Sequence, residues 1–214
     1  MEENRSLAIF DMDGTILESM DYWRNLSVEV AREKGYCIPD ALADELQYVS
    51  FGKAAKRIME EYGGKLELSE EQICERMQVH YESDIGVRPG AKELLAQVKA
   101  SGARMILASA TPRWLCEIAL AKHDLLSYFE DIFNEGDFGV AKGNPEFFQH
   151  LLEKYDVLPE NTTLYEDAHY SVKAAKSLGI RAVVTEDRHQ RQKKEELLLL
   201  ADEYYTEGFC HRVK

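Results

Sequence analysis

Residues 8–17, AIFDMDGTIL, drive an apolar run straight into two aspartates one residue apart, Asp11 and Asp13, followed by a glycine and a threonine. Residues i and i+2 of an extended segment point to the same side, so both carboxylates crowd one small region. Like charges held that close repel each other and disfavour ionisation. A fold gains no stability from this, and the pair reads as a site that needs negative charge, most simply to hold a metal cation. The apolar residues Leu7 to Phe10 ahead of it read as a buried strand.

Four more short apolar runs bounded by polar or turn residues read as strands: Met105 to Ala108, Asp131 to Phe133, Thr163 to Tyr165 and Ala182 to Thr185. Helical patterns separate most of them. RPGAKELLAQVKASG has Pro89 near its first turn, apolar spacing through Leu94, Leu95 and Val98, and Gly102 as its stop. SVKAAKSLG ends in the same way at Gly179. Strands alternating with helices imply parallel pairing and right-handed crossovers, so the expected fold class is α/β, a doubly wound parallel sheet. Residues 18–85 break the alternation. They carry helical patterns only, such as YWRNLSVEVAREKG, GKAAKRIMEEYGG and SEEQICERMQVHYESD, over a length too great for a crossover. The expected organisation is a core of residues 1–17 and 86–214 with residues 18–85 inserted as an all-helical domain.

Composition narrows the function. The formal net charge of -13 over 214 residues argues against a nucleic-acid binder, which needs a basic face for the phosphates. The locally positive stretch Arg188 to Lys194 reads as a solvated helix face. Cys37, Cys74, Cys116 and Cys210 are widely spaced and form no CxxC pair, so reduced thiols are expected rather than a disulfide framework. MEENRS is polar and acidic and unlike a signal peptide, and no apolar run approaches the roughly 20 residues that span a bilayer. The expectation is a cytoplasmic protein with no membrane partner, a monomer or weak homodimer.

In open parallel sheets, ligands bind beyond the carboxyl ends of the strands, where the strand order reverses. Those ends carry one consistent chemistry here. The first strand finishes in Asp11 and Asp13, the second in Ser109, and the fourth in Glu166 and Asp167, while Lys142 follows the third just ahead of a helix beginning near Pro145. Carboxylate oxygens suit Mg²⁺, which is commonly held by a few carboxylates, water and substrate phosphate. Serine and lysine suit phosphate oxygens. The set reads as a phosphoryl-transfer site.

These segments resemble the four motifs of the haloacid dehalogenase superfamily of hydrolases with a helical cap: DMDGT, LASAT at Ser109, AKGNPEFF at Lys142 and YEDAHYSVKAAKSLG. The branch resembled is that of phosphoglycolate phosphatases and β-phosphoglucomutases. The fourth motif departs from the commoner family wording, which has serine at Ala168 and glycine at Ser171. The resemblance implies a Rossmann-like core and a Mg²⁺-dependent phosphatase acting on a small phosphorylated metabolite. Asp11 is then the nucleophile that forms an aspartyl-phosphate, and Asp13 the group that protonates the leaving oxygen and later takes a proton from water. Mg²⁺ lies between the side chains of Asp11 and Asp167 and the backbone carbonyl of Asp13, with Glu166 behind them; Ser109, Ala110 and Lys142 hold the phosphate oxygens.

The resemblance also makes residues 18–85 a lid, hinged near Ile16 to Ser19 and Asp84 to Pro89, with Glu18, Trp23, Phe51 and Lys53 as substrate-facing candidates. Thr111 is expected to cap the helix that follows it, with Pro112 as the first helical residue. His169 follows the metal acids and is a weaker candidate. Two alternatives stay open: β-phosphoglucomutase-like transfer between sugar positions, and a non-catalytic, metal-dependent binder of a phosphorylated ligand. Retention of Asp13 speaks against the binder. The mutases carry a histidine at the position of Trp23, whose indole N–H only donates, and this speaks for hydrolysis.

Overall fold

The computed structural model describes residues 6–46, 51–63 and 68–214. They form a mostly parallel sheet: β1 (Leu7–Phe10), β2 (Arg104–Ala108), β3 (Asp131–Phe133), β4 (Thr162–Glu166), β5 (Arg181–Thr185), β6 (Glu203–Thr206) and β7 (His211–Arg212). The spatial order is β3-β2-β1-β4-β5-β6-β7, with only the β6–β7 pair antiparallel. The fold is therefore the α/β, doubly wound class. Strand order reverses at β1, which pairs with β2 on one side and β4 on the other. Register brings the strand ends level, because Phe10 lies opposite Leu107 and Tyr165. Asp11, Ser109 and the Glu166–Asp167 pair therefore emerge along one edge.

Burial on both faces explains why β1 is apolar throughout, as expected of a central parallel strand. On one face Leu7 and Ile9 pack with Ile106, Phe133, Phe147, Phe148 and Leu164. Phe10, pointing the other way, stacks on Tyr165 with ring centroids 4.2 Å apart. The predicted strands fall within one residue of the observed ones. β6 and β7 were not expected from the sequence.

Two local expectations are corrected. The Pro89 helix starts later, at Ala91–Ala100, because the Pro89 carbonyl is taken by the Phe209 N–H at 2.9 Å and so lies outside the helix. The basic stretch is a solvated helix face as expected, with Arg188, Arg191 and Lys193 exposed; it opens as a 3₁₀ helix, Arg188–Lys193, and leads into an α-helix over Lys194–Leu200. Asp187 sets that start by accepting the His189 N–H at 2.7 Å. The second correction concerns Thr111 and belongs to the site below.

The chain divides into two compact units, residues 1–18 with 86–214, and residues 19–85. The second unit shows helices at Met20–Glu33, Asp40–Leu46, Phe51–Tyr62 and Glu70–Ser83, and no strand among its described residues. Leu26, Val30, Leu46, Ile58, Met77 and Tyr81 fill its interior. The Glu70–Ser83 helix opens on a capping box in which Ser69 accepts from the Gln72 N–H and Gln72 reaches back to the Ser69 N–H. Within the first unit, the segments leading to and from the insertion bond to each other: Glu18 N–H to Gly86 carbonyl at 2.9 Å and Arg88 N–H to Ile16 carbonyl at 2.8 Å. No helix among the described residues is long and apolar enough to cross a membrane.

Candidate active site

Beyond β1 the chain turns sharply. The Asp11 N–H still bonds the Tyr165 carbonyl at 2.9 Å, after which the Met12 carbonyl accepts from Ile16 and Leu17, both at 2.9 Å. Met12 is fully buried between the two acids, so the turn is anchored in the core beneath them. Arg88, itself buried, clamps the loop from behind by donating to the Gly14 carbonyl and, at 2.7 Å, to the Glu186 carbonyl. Its guanidinium also lies 3.6 Å from Asp187.

Carboxylate oxygens of Asp11, Glu166 and Asp167, all buried, lie within 4.8 Å of one another. The Lys142 ammonium sits among them, 2.5 Å from Asp11 Oδ1 and 2.7 Å from Glu166 Oε2, and is 1% exposed. Glu166 Oε1 accepts the backbone N–H groups of Asp167 and Ala168, both at 3.0 Å. Thr15 Oγ1 donates to Asp167 Oδ1 at 3.2 Å. A hydroxyl for Asp167 thus comes from the DMDGT segment, although Ala168 supplies none.

Burial, and then the Glu166 charge, push Asp11 up to about 7 against the pull of Lys142. Asp167 is pushed well above the carboxylate range by burial, Glu166 and Asp11. Burial works to lower Lys142, yet Asp11 and Glu166 outweigh it and hold the ammonium above its ordinary value. Three acids around one ammonium make a buried pocket of oxygen donors whose full ionisation Lys142 alone cannot balance. That donor set fits a hard divalent cation such as Mg²⁺.

Asp13 points elsewhere. Thr111 Oγ1 donates to Asp13 Oδ2 at 2.7 Å, and the Thr111 N–H donates to Ser109 Oγ at 3.1 Å. This corrects the expected cap. The helix begins at Arg113 with Pro112 ahead of it and no side-chain cap bond. The Thr111 hydroxyl is instead turned toward Asp13, to which it donates. Ser109 is buried and extends the sheet through its N–H to the Phe133 carbonyl at 2.9 Å, while Ala110 beside it is exposed.

The structure thus brings together Asp11, Glu166, Asp167 and Lys142, and links Asp13 with Ser109 through Thr111. His169 turns to Glu196 at 2.9 Å. Glu18 is half-exposed and 4.0 Å from Arg88. In the helical unit, Trp23 Nε1 donates to the Tyr81 hydroxyl at 3.0 Å and Lys53 is exposed on its helix. The Phe51 side chain lies outside the described residues. Sequence reading missed Thr15 and Arg88 and gave Thr111 a different role. The two threonines close the quoted motifs DMDGT and LASAT, which is the signal that could have flagged them. Tyr170 was missed as well; its side chain is half-exposed, and its ring would lie 3.2 Å from a Cβ at Gly143, beside Lys142.

The sequence profile of the haloacid dehalogenase-like hydrolases matches residues 6–179. The chain belongs to that family. Two relatives are a phosphorylated carbohydrates phosphatase of Thermotoga maritima, 28% identical over 82% of both chains, and hexitol phosphatase B of Escherichia coli K12, 26% identical over 83% of this chain and 82% of that one. The fold is similar to that of CbbY from Rhodobacter sphaeroides in complex with phosphate, with a TM-score of 0.73 at 23% identity over 94% of this chain and 93% of that one. Like those relatives, this family member is a hydrolase.

Proposed function

We propose that this hydrolase is a Mg²⁺-dependent phosphoric monoester hydrolase that acts on a small phosphorylated carbohydrate through an aspartyl-phosphate at Asp11. The observation that carries the reading is the buried Asp11–Glu166–Asp167 cluster around Lys142, with Asp13 fixed two residues from Asp11. The names of the two curated relatives support the carbohydrate class.

Mg²⁺ would be held by the Asp11 and Asp167 side chains and the Asp13 carbonyl, with Glu166 tied to Lys142 behind them, and would neutralise charge on the phosphate oxygens. The protein's own groups do the rest. Asp11 is the nucleophile, which splits a hard hydrolysis into two easier transfers. Lys142 and Ser109 hold the transferring oxygens, and positioning and charge stabilisation carry most of such a reaction. Asp13 moves the proton. A non-catalytic binder would need the phosphate site but not this last group.

Phosphate release from a sugar-phosphate panel, followed with Mg²⁺ and with EDTA, tests the reading. The expected result is release that EDTA and Asp11→Asn both abolish. No release from any ester, or release indifferent to both, sinks it. Mutase turnover is tested alongside: β-glucose 1-phosphate with a bisphosphate primer and Mg²⁺ should give no glucose 6-phosphate, because Trp23 can only donate.

A further inference from the structure

Thr111 stands on the short turn between β2 and the Arg113–Ala121 helix and is 5% exposed. Its hydroxyl donates to Asp13, its N–H to Ser109 Oγ, and its carbonyl accepts from Cys116 Sγ at 3.4 Å. The helix requires none of these bonds, since it starts two residues later without a side-chain cap. One residue therefore joins the serine of the phosphate site to the carboxyl group beside the nucleophile.

We infer that Thr111 is a positioning residue that fixes one oxygen of the Asp13 carboxyl group and so aims the other at the ester oxygen leaving phosphorus. The inference rests on the phosphatase reading above. In the first transfer an Asp11 oxygen bonds to phosphorus and the ester P–O bond breaks. Its electron pair stays on the leaving oxygen, which takes the Asp13 proton and departs as the alcohol. In the second, a water oxygen bonds to phosphorus, its proton passes to Asp13, and the P–O bond to Asp11 breaks to free inorganic phosphate. Aim matters more for the first transfer when the leaving group is basic. A sugar alkoxide cannot leave without a proton, whereas dinitrophenolate can. Small errors in the direction of a proton donor are costly because the reaction needs a near-attack geometry.

The test compares kcat/KM, which covers the steps through departure of the leaving group, for two esters. One is the sugar phosphate that the wild type hydrolyses best in the panel, and the other is 2,4-dinitrophenyl phosphate. Thr111→Val keeps the shape and removes the hydroxyl. It should lower kcat/KM for the sugar phosphate about tenfold more than for the dinitrophenyl ester. Thr111→Ser should restore most of the wild-type ratio, and Asp13→Asn should shift it in the same direction as Val. The ratio is internal to each preparation, so loss of folded protein cancels, and Thr111→Ala replaces Val if Val does not fold. Equal loss on both esters, or a ratio that Ser does not restore, overturns the role of Thr111 while leaving the phosphatase reading intact. A wild type that releases phosphate from neither ester overturns the phosphatase reading itself.

Discussion

Lys142 is the one cation bonded to both Asp11 and Glu166 among the described residues, and its removal would leave those buried carboxylates without it. Breaking a buried pair by deleting one partner costs about 3–5 kcal/mol, because a buried charge stays uncompensated. Lys142→Met should therefore unfold at clearly lower urea in metal-free buffer as well as losing activity. Added Mg²⁺ should recover part of the stability. A variant with an unchanged urea midpoint would show that the ammonium does not balance the acids. At this scale the sequence revealed acids and a lysine because each falls at the end of a strand. It hid Arg88, since a buried arginine is recognisable only by its partners, and the Gly14 and Glu186 carbonyls lie far off in the chain. It misassigned Thr111, since a threonine before a proline and a helix looks the same whether it accepts a backbone N–H or donates to a distant carboxylate.

At the scale of elements, β1 to β5 were legible because each carries a short run of buried apolar residues, β3 included although it stands at the sheet edge. β6 reads EYYT and β7 is two residues long, so neither carries that signature. Their turn nevertheless has a demanding fit. Gly208 has φ +69, and a Cβ there would come 2.3 Å from the Pro89 carbonyl oxygen. Gly102 has a similar φ of +79 with nothing within 4 Å. Left-handed backbone costs a residue with a Cβ roughly 1–2 kcal/mol. Gly102→Ala should lose about that amount. Gly208→Ala should lose clearly more, because backbone must also move. Equal urea midpoints for the two variants would mean that the turn yields without strain.

For the whole molecule, the crowded acids predict how stability depends on pH. Asp11 rises from 3.8 to about 7 through burial and Glu166, and Asp167 rises for the same reasons. A carboxyl raised by folding contributes stability that is present below its unfolded value and lost as pH climbs through its folded one. The metal-free protein should therefore lose stability between about pH 4 and pH 7. Asp131 and Asp202 act lower down and in the opposite sense. Burial would raise both, but hydrogen bonds from Arg113 and Lys176 outweigh it, so their contribution is lost as pH falls below the usual carboxylate range. The measurable outcome is a metal-free Tm that declines from pH 5 to pH 7.5, with Mg²⁺ raising Tm more at pH 7.5 than at pH 5. A Tm indifferent to Mg²⁺ at both values would remove the cation from the site. The alternation of strands and helices announced the parallel core, and the missing alternation in residues 18–85 announced helices. Neither could reveal which side chains face one another across the strand ends.

The placement of β1 inside the sheet, between β2 and β4, has a consequence for biosynthesis. A ribosome releases LAIF before any other described strand, yet its two neighbours begin only at Arg104 and Thr162. An inner strand is therefore the first of the described strands to be made and waits longest, with the helical insertion emerging ahead of either partner. Long-range pairing of this kind folds slowly and leaves an apolar strand uncovered while the chain grows. The nascent protein should thus engage chaperones early and release them late, after the segment carrying Glu166 and Asp167 has left the exit tunnel.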